Sequence, residues 1–90
     1  MRASSIFAVE NRTHMRELAQ FPHPIMRITV TSWNGKYALR FEADRFEQVY
    51  KVPEDEWQGG VEALEQRARA MQEQVLMRFV DMRNEWNSIT

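Results

Sequence analysis

Between two runs rich in β-branched and aromatic residues, Ile28-Thr29-Val30-Thr31-Ser32-Trp33 and Lys36-Tyr37-Ala38-Leu39-Arg40-Phe41, stands the dipeptide Asn34-Gly35. Both residues tolerate positive φ, so a two-residue type I′ loop fits here, and its twist matches that of paired strands. A loop of fixed length sets the register: Trp33 faces Lys36, Thr31 faces Ala38, Val30 faces Leu39, Thr29 faces Arg40, Ile28 faces Phe41 and Arg27 faces Glu42. Side chains alternate along a strand, so Ile28, Val30, Tyr37, Leu39 and Phe41 share one apolar face. Arg27, Thr29, Thr31, Trp33, Lys36, Ala38, Arg40 and Glu42 share the other.

A second tight turn at Ala43-Asp44 extends the pattern into a three-stranded antiparallel meander over residues 26–52. It predicts Phe41 opposite Phe46, Leu39 opposite Gln48 and Tyr37 opposite Tyr50, with Phe46 and Tyr50 joining the core face. On the outer face it puts Glu42 between Arg27 and Arg45, and Arg40 opposite Glu47. Such cross-strand ion pairs contribute roughly 0.2–1 kcal/mol each and support the register.

Ahead of the sheet, residues 1–12 form an N-terminal segment in which Ile6, Phe7 and Val9 offer material for a fourth edge strand or a clasp on the core. Residues 13–21 read as a short helix, with Thr13 as N-cap, Met15, Leu18 and Phe21 on one side, and Pro22 ending it. Pro22-His23-Pro24 is a stiff corner in which His23 is a spacer rather than a ligand. Behind the sheet, Pro53 stops the last strand, Trp57 tucks under the sheet edge, and Gly59-Gly60 marks the break before a long helix over residues 61–87.

Apolar residues recur along that helix at Val61, Leu64, Ala68, Met71, Val75, Phe79, Met82, Trp86 and Ile89, every third or fourth position. A helix of this length extends about 40 Å at 1.5 Å per residue, whereas strands of eight residues reach about 26 Å. The second half of the stripe therefore has little of its own sheet to lie on. Leu76, Met77 and Val80 also widen the band there, so the expected interface of a homodimer is Val75, Leu76, Phe79, Val80, Met82 and Trp86.

The fold class that emerges is α+β in one domain, residues 1–90: a short N-terminal helix, a three-stranded meander and a long C-terminal helix on one sheet face. A chain of 90 residues buries a modest core, and association commonly completes it. With no cysteine, disulfides and Cys-based zinc sites are excluded. The apolar run near the start is too short for a signal peptide and nothing approaches a membrane span, so the expectation is a soluble cytoplasmic protein with no membrane partner. Charge is divided: residues 1–52 hold eight Lys/Arg against five Asp/Glu, and residues 53–90 hold four against eight. A mildly basic sheet is thus joined to an acidic helix.

No catalytic motif is present: there is no G-x-S-x-G, no P-loop and no G-x-G-x-x-G, so no enzyme and no cofactor is expected. His14 and Glu17 are spaced to share a metal, but two ligands without a third read as a solvated face. Glu54, Asp55 and Glu56 read as an exposed acidic turn rather than a general acid or base. On the outer sheet face, Arg27, Lys36, Arg40, Arg45 and Lys51 surround Trp33, the mix of cations and an aromatic that single-stranded nucleic acid requires. Glu42 and Glu47 among them reduce the field.

The order of a meander followed by a long dimerising helix, with the approach Val52-Pro53-x-x-x-Trp57, resembles the layout of the positive-cofactor-type, Pur-alpha and Whirly single-stranded DNA-binding folds. The resemblance covers residues 26–87, and those folds usually place four strands before the helix where this sequence presents three. Layout does not carry function. The expected role is a small non-enzymatic interaction or assembly module that self-associates through its helix and meets a protein partner yet to be identified, with single-stranded nucleic-acid binding on the outer sheet face as the alternative.

Overall fold

A computed structural model of the chain describes residues 15–89. Four antiparallel strands, β1 (Arg16–Phe21), β2 (Arg27–Trp33), β3 (Lys36–Ala43) and β4 (Phe46–Pro53), pair in chain order. A single 3₁₀ turn, Glu54–Glu56, leads to the helix α1, Gly60–Ile89. The class is α+β, and among the described residues four strands precede the helix.

The β2–β3 register is the one that the Asn34-Gly35 loop requires, from Arg27 opposite Glu42 to Trp33 opposite Lys36. Asn34 and Gly35 both have positive φ, 55° and 77°. The β3–β4 hairpin differs from expectation by two residues: Ala43 pairs with Phe46, so Phe41 lies opposite Gln48, Leu39 opposite Tyr50 and Tyr37 opposite Val52. The loop is Asp44-Arg45 because Asp44 takes the left-handed conformation, φ 58°, that an aspartate tolerates better than Ala43 would. A shift of two keeps every side chain on its expected face.

The predicted helix over residues 13–21 is a correction. Met15 leads into strand β1, which pairs with β2 from Arg16 opposite Ser32 to Phe21 opposite Ile28. Its register is interrupted between Glu17 and Ala19, a bulge that leaves Leu18 extra. That bulge places apolar residues at 15, 18 and 21, the spacing of a helix, in a chain that is extended. The proposed strand or clasp at Ile6, Phe7 and Val9 lies outside the described residues.

The core is Met26, Ile28 and Val30 of the β2 side, Leu39 and Phe41 of β3, and Leu64, Ala68, Val75 and Phe79 of α1. Phe41, Val30 and Val75 are the largest side chains closed off from solvent, and each contributes about 1.5–3 kcal/mol through burial. Ala19 and Phe21 of β1 pack on this core, as do Phe46, Met71, Leu76 and Met82. Facing inward from β4, Gln48 donates Nε2–H to the Val75 carbonyl at 3.0 Å and ties the strand to mid-helix.

At the helix start, Gly59 (φ 96°) and Gly60 (φ 61°) turn the chain through left-handed geometry. Ala63 N–H donates to the Gly59 carbonyl, and the Trp57 indole N–H donates to the Gly60 carbonyl at 2.9 Å. A Cβ at position 59 would stand 2.6 Å from Ala63 Cβ. Gly59→Ala therefore combines backbone strain with a clash, and a loss of about 1–3 kcal/mol is expected in urea unfolding. Leu39→Asp should abolish the cooperative thermal transition seen by circular dichroism, because it buries an unpaired charge. Lys36→Asp, three residues away on the opposite face, should leave that transition in place.

Candidate functional site: the open sheet face and the exposed helix end

Among the described residues, α1 covers one face of the sheet and leaves the other open. On the open face the β2, β3 and β4 pairings lay the side chains out in rows: Trp33 beside Lys36, then Thr31 beside Ala38 and Lys51, then Thr29 beside Arg40 and Val49, then Arg27 beside Glu42 and Glu47. Trp33, Lys36, Arg40 and Lys51 converge, with Met15, on a hollow of about 140 Å³ floored by Thr31 and Ala38. The Trp33 side chain remains 41% exposed. Thr29 and Thr31, expected on a solvated face, are buried. They are short side chains on a central strand, overtopped by the longer residues of their neighbours.

The other two basic residues of the expected nucleic-acid face are placed elsewhere. Arg27 belongs to the far row, where its guanidinium lies 3.6 Å from Glu17 of β1. Arg45 is in the β3–β4 loop and sits over the Trp86 ring of α1, 5.8 Å from its centroid. With the corrected register Glu42 faces Glu47 rather than Arg45, and Arg40 faces Val49 rather than Glu47. Two carboxylates directly opposite destabilise a pair. Arg40 relieves this one diagonally, its Nε 3.8 Å from Glu47 Oε1, while Arg27 flanks Glu42 from β2. The basic cluster thus occupies the Asn34-Gly35 end of the open face, with Glu42 and Glu47 at the opposite end and Glu17, beside Thr31 on β1, drawn toward Arg27.

The predicted helix interface divides in two. Val75 and Phe79 are core residues of the single chain, 0% and 6% exposed, and are unavailable to a partner. The sheet is wider than three strands and carries the helix further than its length alone implied. Leu76 and Met82 are half-buried against the same core. Val80 and Trp86 are exposed, and Met77 and Ile89 with them. Arg83 lies 3.9 Å from Asp44 and Arg45 sits over Trp86, so the end of α1 still meets the β3–β4 loop while Trp86 and Ile89 remain open to solvent.

Elsewhere the candidate chemistry resolves into structural ties. Glu54 accepts a hydrogen bond from Ser32 Oγ at 2.6 Å, and its own N–H donates to the Gly35 carbonyl at 2.9 Å. This member of the acidic triplet therefore locks the 3₁₀ turn onto the β2–β3 hairpin. His23 Nδ1 accepts from the N–H groups of Ile25 (3.0 Å) and Met26 (3.2 Å), which makes it the organiser of its corner as well as a spacer. A cleft of about 540 Å³ between that corner and α1 is rimmed by Glu65 and Arg69, which pair with one another at 2.8 Å. Among the described residues no three His, Cys, Asp or Glu side chains are grouped to hold a metal. His14 lies outside those residues.

Thr31 stands between the cations of the expected face, and Met15 and Ala38 are the further members of the hollow. Ala38 is on the expected face but carries neither charge nor an aromatic ring. Met15 falls within the predicted helix. The signal for it was the alternation of Ala19 and Phe21, which the extra Leu18 obscures.

Comparison with protein-family models, with curated proteins and with solved structures gave no match. No helix among the described residues is long and apolar enough to cross a membrane.

The tie between Ser32 and Glu54 should be measurable. Ser32→Ala removes a donor from a partly buried carboxylate, and a loss of about 1–2 kcal/mol is expected from chemical denaturation, with Asp55→Ala as the exposed control that changes little.

Proposed function

We propose that this chain is a small non-enzymatic assembly module whose copies associate through the end of α1. The observation that supports this reading is the exposed apolar end of the helix. Trp86 and Ile89 continue the stripe of Val75, Phe79 and Met82 at helical spacing, yet are 53% and 80% exposed, with the Arg45 guanidinium over one part of the Trp86 ring. Val80 and Met77 extend the apolar surface along one flank.

An indole beside flexible apolar neighbours is the composition of an interface centre. The same stretch carries Arg78, Asp81, Arg83 and Glu85, two of each sign. These charges cancel, so a second copy of the same stretch meets no net repulsion at a two-fold interface. A second copy is the occupant this favours, and a different protein is the competing outcome of the test.

Light scattering at tens of micromolar should show a dimer, or a higher even assembly. Trp86→Glu combined with Ile89→Glu should give folded monomers, since both side chains are outside the core of the single chain. A wild-type monomer under those conditions overturns the proposal. Phe79→Glu is not a suitable probe, because a buried charge there unfolds the chain whether or not it associates.

A further inference from the structure

We infer that the open sheet face holds a binding site for single-stranded nucleic acid, centred on Ala38 and framed by Trp33, Lys36, Arg40 and Lys51. Lys36 and Arg40 lie two positions to either side of Ala38 on β3, and Lys51 lies opposite it on β4. Diagonal neighbours in this arrangement are about 7–8 Å apart at the backbone, so the cations surround the hollow rather than crowd one point. Trp33, beside Lys36, leaves part of its ring open to solvent, and Met15 forms the neighbouring wall. The floor is made of a methyl group and a short threonine, which leaves room for a flat group to approach the sheet.

Cations that track a backbone and a ring for a base to stack on are the two components of single-strand recognition. A duplex does not meet both, since its bases are already stacked and their faces are not available to Trp33. An acidic polypeptide would use the lysines but has no need of the indole. Glu42 and Glu47 close the far end of the face and Glu17, beside Thr31 and paired with Arg27, bounds it on the β1 side, so the contact is short: a base on Trp33 and the phosphates nearest to it. Arg40 is engaged in part by Glu47 at 3.8 Å, so two to three phosphates are neutralised. At about 0.7 per phosphate, the logarithm of affinity should fall with the logarithm of salt with a slope between roughly 1.4 and 2.

The experiment is fluorescence polarisation of a labelled oligothymidylate of about 15 nucleotides, within the span that such platforms cover, titrated with the full chain over a series of salt concentrations. Saturable binding at low salt with that shallow slope is expected. Trp33→Ala should weaken it about tenfold or more, the loss of one stacked base, and Trp33→Phe should restore most of it. Lys51→Ala should weaken binding and lower the slope by about 0.7. Ala38→Glu, which puts a carboxylate at the centre of the hollow without touching the core, should abolish binding with the far-ultraviolet spectrum unchanged. Arg69→Ala, on the helix, should have no effect. The inference is overturned by an absence of binding at the lowest salt, by binding that Trp33→Ala and Lys51→Ala leave unchanged, or by equal affinity for a duplex of the same sequence. It is also overturned if polyglutamate binds in a manner that follows Lys36 and Lys51 and ignores Trp33, which would assign the face to an acidic polypeptide.

Discussion

With Asn34 and Gly35 both at positive φ, the β2–β3 loop closes in two residues, and Val30 is bound to face Leu39. Were the pairing to slip by one residue, the strand that moved would turn over, sending either Ile28 and Val30 or Leu39 and Phe41 to solvent and bringing Thr29 or Arg40 beneath α1. The cost would be the burial of several large apolar side chains at about 1.5–3 kcal/mol each, together with an unpaired guanidinium in the core. The second hairpin depends on the first. Its Asp44-Arg45 loop differs from the expected Ala43-Asp44 by a shift of two, which preserves the sorting of faces and so leaves the core intact. Glu54 then fastens the end of β4 back onto the first loop through Ser32 and the Gly35 carbonyl.

Those parts of the fold whose physics is local were legible from the residues alone. The Asn34-Gly35 hairpin rests on two residues, and the helix on a stripe of regular spacing. The strand at Arg16–Phe21 was not legible, because the bulge at Leu18 breaks the alternation that identifies a strand and substitutes a three-residue apolar spacing. Its pairing with β2 is a non-local fact. The exact loop of the second hairpin was not legible either, since Ala43-Asp44 and Asp44-Arg45 satisfy the same alternation and differ only in which residue takes the left-handed conformation. Of the candidate sites, Trp33, Lys36, Arg40 and Lys51 come together as their register requires. Arg27 and Arg45 do not join them, because Glu17 and Trp86, one on an unforeseen strand and one on the helix, hold them elsewhere.

A four-stranded sheet with one helix has two faces and covers one of them. The covered face takes the apolar set, and what remains open is a row structure whose centre, Thr29, Thr31 and Ala38, is made of short side chains. This is a physical reason for the hollow: long residues at Met15, Trp33, Lys36, Arg40 and Lys51 stand around short ones on the central strands. It also accounts for two buried threonines on a face that carries no second layer among the described residues. The arrangement of charge follows from the same pleat. Lys36, Arg40 and Lys51 alternate onto the open face near the first loop, while Glu42 and Glu47 alternate onto it near the second.

The exposed end of α1 and the basic hollow lie at opposite ends of the strands. Arg83 and Trp86 meet the β3–β4 loop at Asp44 and Arg45, whereas Trp33 and Lys36 flank Asn34-Gly35 at the other end. Copies joined through their helix ends would therefore keep their hollows at the ends of the strands away from the joint. Association of that kind would not enlarge one site into a longer basic track. It would give two separate short sites, each complete within its own chain, so that a short strand would occupy one hollow irrespective of assembly, and only a strand long enough to span both ends would gain from the pairing through effective concentration. The two surfaces are thus independent in the physical sense: Trp86 and Ile89 can be changed without touching Trp33, and Lys51 without touching the helix, so each reading stands or falls on residues that the other does not use.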